Sequence, residues 1–335
     1  MIVSNLRAPL VSVIIPTLEG GENLERCLAA LAVQTFADFE TIVVDNSGCG
    51  AAAPFQQAAR VIEKQTNLGF GAAVNQGIEV SQAEYCCTIN DDAFADPRWL
   101  AELVAACRDP EVGMCASQIR LSSSPDRLDS AGLQIYPDGS SKQRGRMAPA
   151  CEFSVREEVL LPSACAALYR TAMLRQVGAF DPDFFLYCED TDLGLRARRA
   201  GWRCLYVPSA VVYHRYSASA GPASERKAFY VERNRLYTVV KNFPVWTWPL
   251  VPLYSAWRYA VHLWGHWTGR GLAAQLPAAK LGIILFSANW EALKELPQLL
   301  AKRRAVMGAA RLSGWEFWRL LGRHRISARR LALQP

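Results

Sequence analysis

The sequence predicts an α/β domain with a mostly parallel sheet and helices on both faces, followed by a helical C-terminal region. Three observations carry this reading. Short β-branched runs alternate with helical patterns over residues 11–108, as in a parallel sheet with crossover helices. The runs end in polar residues, Thr17, Asp45 and Asp91-Asp92. The composition shifts after residue 235, and eight of the ten tryptophans lie beyond residue 245.

Val11–Pro16 is a continuous apolar run closed by proline and reads as a buried parallel strand. Leu24, Cys27, Leu28 and Leu31 share one face of a helix. Phe39–Asp45 is a second buried strand that ends in the turn Asn46-Ser47-Gly48, and a short strand follows near Val61–Lys64. Gly69–Val80 is a helix opened by glycines, Glu84–Asn90 another buried strand, and Pro97–Arg108 a helix with proline at its first position. Residues 119–162 read as irregular, with turns at Ser122–Pro125 and Pro137–Gly139. Ala164–Arg170 is strand-like and Thr171–Val177 a short helix. A helix starting near Glu189 carries acids in its first turn and Arg196, Arg198 and Arg199 in its last, as the helix dipole favours, and Gly201 ends it. Residues 203–213 are strand-like and lead to His214.

The chain has 335 residues, about two domains' worth. Its hydrophobic content of 51% excludes a disordered chain. The net charge is +6, but residues 301–335 hold nine Lys/Arg against the single acid Glu316, so that tail carries +8 and the rest −2. The body is therefore not a nucleic-acid binder. The ten cysteines include no C-x-x-C pair and read as reduced, mostly buried thiols of a cytosolic domain. No signal peptide is expected, because Leu10–Ile15 is too short for its apolar core.

Ligands of open α/β sheets bind beyond the carboxyl ends of the strands, which directs attention to the polar residues there. Asp91-Asp92 suits Mg²⁺ or Mn²⁺ holding a diphosphate, or is a turn with a helix cap. Asp45 accepts either a hydrogen bond from a base or ribose, or one that closes a turn toward Gly48. Asn67–Gly77 breaks the G-x-G-x-x-G pattern of dinucleotide sites and lacks the end of a P-loop. Glu189-Asp190 is a helix cap or holds a general base. His214 is a satisfied histidine or, with the carboxylate pair, a metal ligand.

Taken together and in order, VSVIIPT (Val11–Thr17), ETIVVDNS (Glu40–Ser47), NLGFGAAVNQGI (Asn67–Ile78), INDDA (Ile89–Ala93), Val177–Trp202 and PSAVVYH (Pro208–His214) resemble the inverting family-2 nucleotide-sugar glycosyltransferases of the GT-A fold. The likeness is strongest to the rhamnosyltransferase-like branch and covers about residues 10–240. It implies a glycosyltransferase domain over 1–235 and a helical region over 236–335. Thr17, Glu19, Asp45, Gly69, Asn75 and Asp91 would bind the donor. Asp92 and His214 would hold the divalent cation, and Asp190 of the Glu189-Asp190 pair would be the catalytic base. The acidic motif reads Asn90-Asp91-Asp92 in place of a strict D-x-D.

The implied partners are a dTDP- or UDP-sugar donor and a lipid-linked glycan acceptor of bacterial surface polysaccharide synthesis. Against this stand a dinucleotide-dependent dehydrogenase on a doubly wound sheet and a non-catalytic scaffold that has kept the fold. No apolar stretch after residue 235 reaches the roughly 18 residues of a clean membrane span. Trp246, Trp248, Trp257, Trp264, Trp267 and Trp290, with the basic tail, read instead as interfacial helices on an anionic bilayer. That places the enzyme peripherally on the cytoplasmic face of the plasma membrane. The competing reading is an interface between copies of the chain.

Overall fold

The computed structural model describes residues 7–215, 225–268 and 278–333. The first half runs β1 (Val11–Thr17), α1 (Gly21–Ala32), β2 (Phe39–Asp45), β3 (Arg60–Glu63), α2 (Phe70–Val80), β4 (Tyr85–Ile89), β5 (Ala93–Ala95) and α3 (Trp99–Ala106). There follow β6 (Val112–Leu121), β7 (Ser124–Ser130), the hairpin β8 (Leu133–Ile135) and β9 (Ser141–Gln143), β10 (Glu157–Glu158) and β11 (Ala166–Arg170). Then come α4 (Thr171–Val177), α5 (Glu189–Arg199) and β12 (Arg203–His214). The C-terminal helices are α6 (Glu225–Asn242), α7 (Val251–Trp267), α8 (Ala278–Lys294), α9 (Leu296–Gly308), α10 (Gly314–Arg323) and α11 (Ala328–Leu333).

The main sheet has the order β10-β12-β6-β11-β4-β1-β2-β3, with β5 on β12 and β7 on β6. Strands β4, β1, β2 and β3 are parallel, while β11 runs antiparallel between β4 and β6. The sheet is thus mixed, where the sequence led us to expect a mostly parallel one. Alternation explains why β1 reads as a continuous apolar run. Val13 and Ile15 pack with α1 and α3 on one face, and Ile14 packs with α2 on the other.

Two further differences have local causes. Helix α3 begins at Trp99, not Pro97, because Asp96 first closes a turn, accepting from the Arg98 amide at 3.1 Å and the Trp99 amide at 2.9 Å. The segment taken as irregular from residue 119 contains the end of β6, the strand β7 and the β8–β9 hairpin. Strand β6 buries Ser117 and Gln118, whose polarity breaks the apolar pattern. Both are satisfied: Trp99 Nε1 donates to Ser117 Oγ at 2.8 Å and Gln118 Nε2 to Tyr206 Oη at 2.8 Å.

The C-terminal helices share a core with the α/β part. Leu133, Ile135, Leu160, Leu161 and Leu195 pack with Val239, Phe243, Val251, Phe317 and Leu321. A boundary at residue 235 therefore cuts through α6. Buried ion pairs add to the junction. Lys241 on α6 donates to Asp181 at 2.6 Å and to Asp192 on α5 at 2.7 Å, and Arg258 on α7 pairs with Asp138 and Glu232. Breaking one partner of such a buried pair leaves a charge without compensation.

Candidate active site

Strand ends β1, β2 and β4 converge on one rim. Thr17 Oγ1 donates to Asp91 Oδ2 at 2.5 Å and accepts from the Gly20 amide at 3.0 Å. Burial, reinforced by Asp92 and the exposed Glu19 and opposed by the Thr17 hydrogen bond, pushes the Asp91 carboxyl up to about 6. Asp45 is fully buried. Its oxygens accept from the Ser47 amide at 3.0 Å and the Ala52 amide at 2.7 Å. Burial works to raise its pKa, yet these amides and Ser47 hold it below the usual value. Asp45 therefore builds the turn after β2, and any contact to a base shares an oxygen already in use.

Asp92 meets His214 because β5 pairs antiparallel with the end of β12, setting His214 opposite Ala93. His214 Nε2 lies 3.2 Å from Asp92 Oδ1, a buried carboxylate oxygen. His214 Nδ1 lies 2.7 Å from Asp129 Oδ2 on β7, and Asp129 is also paired with Arg146. Burial opposes the imidazolium, but Cys165, Asp129 and Asp92 hold the His214 pKa well above its ordinary value. Among the described residues no group of three or more His, Cys, Asp or Glu is arranged around one metal position. Asp92 and His214 form a buried carboxylate–imidazole contact, oxygen and nitrogen donors of the kind a divalent cation accepts.

Glu189 and Asp190 open α5. Asp190 Oδ1 accepts from the Thr191 amide at 2.6 Å, and Oδ2 accepts from the Ala164 amide at a looser 3.3 Å. The Glu189 side chain is buried, its Oε2 accepts no hydrogen bond, and burial with the neighbouring Asp190 charge pushes its pKa up to about 8. Burial also raises Asp190, against the Ala164 and Thr191 amides. The stretch Ser163–Cys165 joins the two centres: Ala164 holds Asp190, the Cys165 carbonyl accepts from the Asn90 amide at 2.9 Å, and the Cys165 thiol lies beside His214.

The glycine loop is shaped by Asn46 and Asn67, which sequence reasoning passed over. Asn46 Nδ2 donates to Asn67 Oδ1 at 3.0 Å, and its Oδ1 accepts from the Leu68 amide at 2.9 Å. Gly69 sits at φ +83°, and a Cβ there would collide with the Phe185 carbonyl. Asn75, expected to line the donor, has its amide committed on both sides to the Phe180 backbone, at 2.7 and 3.0 Å. It clips α2 to the segment leading toward Asp190. The structure thus brings Thr17, Asp91, Asp92 and His214 together and joins Asp190 to them through Ser163–Cys165, with Gly69 against Phe185. Asp45 and Asn75 have backbone partners. Asp129 and Asn46 leave no local pattern; only strand pairing and loop closure reveal them.

The profile of the family described as Glycosyl transferase family 2 matches residues 12–178. A Mycobacterium tuberculosis protein named N-acetylglucosaminyl-diphospho-decaprenol L-rhamnosyltransferase is 31% identical over 252 residues, 66% of this chain and 80% of that protein. This chain belongs to glycosyltransferase family 2. The pre-mycofactocin glycosyltransferase of the same organism is 28% identical, over 66% of this chain and 46% of its own length. In fold, the family-2 chain is similar to a mannosyltransferase from Pyrobaculum calidifontis solved with GDP-Man and Mn²⁺, at 17% identity, a TM-score of 0.53 and coverage of 91% and 86%. It is also similar to GalNAc-T7, solved with UDP, GalNAc and Mn²⁺, at 13% identity, a TM-score of 0.53 and coverage of 70% and 51%. The fold is GT-A, and membership removes the dehydrogenase reading.

Proposed function

We propose that this family-2 glycosyltransferase is a divalent-cation-dependent, inverting enzyme. It transfers a sugar, rhamnose by its relatives, from a dTDP- or UDP-sugar to a hydroxyl of a lipid-linked glycan. The observation that carries the reading is the Asp92–His214 pair joined through Ser163–Cys165 to Asp190. The N-acetylglucosaminyl-diphospho-decaprenol rhamnosyltransferase relative and the Mn²⁺-bound fold neighbours support the acceptor class and the cation.

Asp92 and His214 would hold Mg²⁺ or Mn²⁺. The cation supplies positive charge to the diphosphate leaving group. Thr17 and Asp91, with the loop at Gly69, bound the donor side. Asp190 takes the proton of the acceptor hydroxyl on Oδ2, the oxygen with the weaker backbone bond. Burial and then the neighbouring Asp190 push Glu189 up to about 8, so it keeps its own proton at neutral pH, and Asp190, whose oxygens accept from the Ala164 and Thr191 amides, is the carboxylate placed to act as base. A base on the acceptor side and charge stabilisation on the leaving side make a single displacement that inverts the anomeric centre.

The enzyme is proposed to sit peripherally on the cytoplasmic face of the plasma membrane, and the exposed side chains of α7 and α8 fit a membrane-surface role. Leu253, Trp257, Trp264 and Trp267 form an exposed stripe on α7, and Ile283, Phe286, Trp290 and Leu293 one on α8. Aromatic stripes of this kind suit the headgroup boundary. Among the described residues, no helix is long and apolar enough to cross a membrane.

The test is thermal shift against dTDP-, UDP- and GDP-sugars with and without Mn²⁺. A ligand that binds only the native state raises apparent stability. Stabilisation by one donor class that vanishes with EDTA is expected. A shift indifferent to metal contradicts the cation assignment.

A further inference from the structure

Helix α6 closes over the turn that delivers Glu189 and Asp190. Within it Phe185 has φ 60° and ψ −59°, and the Leu186 amide donates to the Phe184 carbonyl at 2.7 Å. That is a γ-turn of the rarer, strained hand. Tyr187 and Cys188 follow at φ 68° and 66°. Non-glycine residues seldom hold positive φ, and such conformations persist only where their surroundings over-determine them.

At the centre of these surroundings is one buried side chain. Asn234 Nδ2 donates to the carbonyls of Phe184 at 2.8 Å, Leu186 at 2.9 Å and Tyr187 at 2.7 Å. Its Oδ1 accepts from Arg233 Nε at 2.9 Å, which fixes which way the amide faces. Arg233 Nη2 extends the grip to the Asp183 carbonyl at 2.9 Å and the Phe184 carbonyl at 3.1 Å, and Nη1 reaches Glu291 on α8 at 2.7 Å. From the opposite side the Phe70 amide, at the start of α2, donates to the Phe185 carbonyl at 2.8 Å.

We propose that Asn234 is a positioning residue for Asp190: its amide gathers the three carbonyls of the strained turn and so sets where α5 presents the base. The proposal rests on the reading of Asp190 as the base. Without the amide, buried carbonyls lose their donor. Phe185, Tyr187 and Cys188 then relax toward negative φ, and the start of α5 moves. A displacement of about 1 Å at a reacting group costs on the order of 10²-fold in rate. The donor side is left in place: β1, β2 and β4 lie apart from the turn, and the Gly69 loop that touches Phe185 is still held by Asn46 and Asn67, through the Gly69 carbonyl and amide and the Leu68 amide.

The experiment compares full-length wild type, Asn234→Ala, and Asn234→Ala with Cys188→Gly, since glycine holds positive φ without strain. Hydrogen exchange is read by mass spectrometry. Turnover is read as transfer from dTDP-rhamnose to a synthetic prenyl-diphosphate N-acetylglucosamine with Mn²⁺. Asn234→Ala should speed exchange across residues 186–190 but not across 85–89. It should lower kcat about 10–100-fold at nearly unchanged donor KM, and Cys188→Gly should restore part of kcat. If Asn234→Ala does not accumulate folded, Asn234→Ser, which keeps one donor, is read in the same way. Faster local exchange with kcat within about twofold of wild type overturns the proposal, as does a parallel collapse of kcat and donor affinity. A wild type inactive on these substrates counts against the rhamnosyltransferase reading. The exchange arm still decides the clamp, since unchanged exchange at 186–190 refutes it.

Discussion

His214 is held between two carboxylates, with Asp129 Oδ2 2.7 Å from Nδ1 and Asp92 Oδ1 3.2 Å from Nε2. Asp129 lies 85 residues before His214 and is itself buried and paired with Arg146. A carboxylate behind a ligating histidine sets the tautomer and the ring orientation, and its loss typically costs about 10–100-fold in metal affinity. Asp129→Asn should weaken Mn²⁺ binding by that factor in calorimetry while circular dichroism stays native. Unchanged affinity would remove Asp129 from the centre.

Gly69 and Phe185 are in contact across the donor loop and the turn before the base. Alanine at 69 meets both a positive φ and the Phe185 carbonyl. The φ alone costs about 1–3 kcal/mol. Gly69→Ala should lower Tm and weaken both nucleotide-sugar binding and turnover. A variant with wild-type Tm and activity contradicts this geometry.

Glu189 gives a pH signature. Its folded pKa, pushed up to about 8 by burial and then by Asp190, lies above the ordinary glutamate value. The folded chain therefore keeps a proton that the unfolded chain has released. The contribution of Glu189 to stability is fully present below about pH 4 and is lost as the pH rises through 8. Glu189→Gln removes that dependence, so its Tm should exceed wild type at pH 8.5 and match it near pH 4. A variant less stable than wild type at pH 8.5 overturns the assignment.

The C-terminal surface makes its own prediction. Several tail cations are already engaged: Lys302 with Asp181 and Asp183, Arg303 with the Val240 carbonyl, and Arg329 over the Trp264 ring. Under the proposed membrane reading, binding would depend more on the aromatic stripes than on net charge. Trp257→Ser with Trp290→Ser should abolish sedimentation with anionic vesicles, and 0.5 M salt should weaken wild-type binding only partly. Wild type that ignores the vesicles and forms a salt-insensitive dimer supports the interface between copies instead.

What was legible in the sequence follows from how local each interaction is. Strands β1 and β2 show plainly because both their faces are buried, so Val13, Ile14 and Ile15 are all apolar. Strand β6 does not, because its buried Ser117 and Gln118 find partners on Trp99 and Tyr206 from other elements. Thr17, Asp91, Asp92 and Asp190 sit at strand and helix ends, where position alone suggests a role. Asp129, Asn46 and Asn234 act through partners elsewhere in the chain, which no spacing records. Asn75 read as a donor contact because its loop is rich in glycine, and only the fold shows that Phe180 occupies its amide.

The central claim is inverting transfer with Asp190 as base. It is tested most directly by the linkage of the product made from dTDP-rhamnose and a prenyl-diphosphate N-acetylglucosamine with Mn²⁺, read by NMR for wild type and Asp190→Asn. The account predicts an anomeric configuration opposite to the donor's. It also predicts a rate about 10²–10⁴-fold lower for Asp190→Asn, with donor binding unchanged. A product that retains the donor's configuration, or an Asp190→Asn enzyme at wild-type turnover, contradicts it.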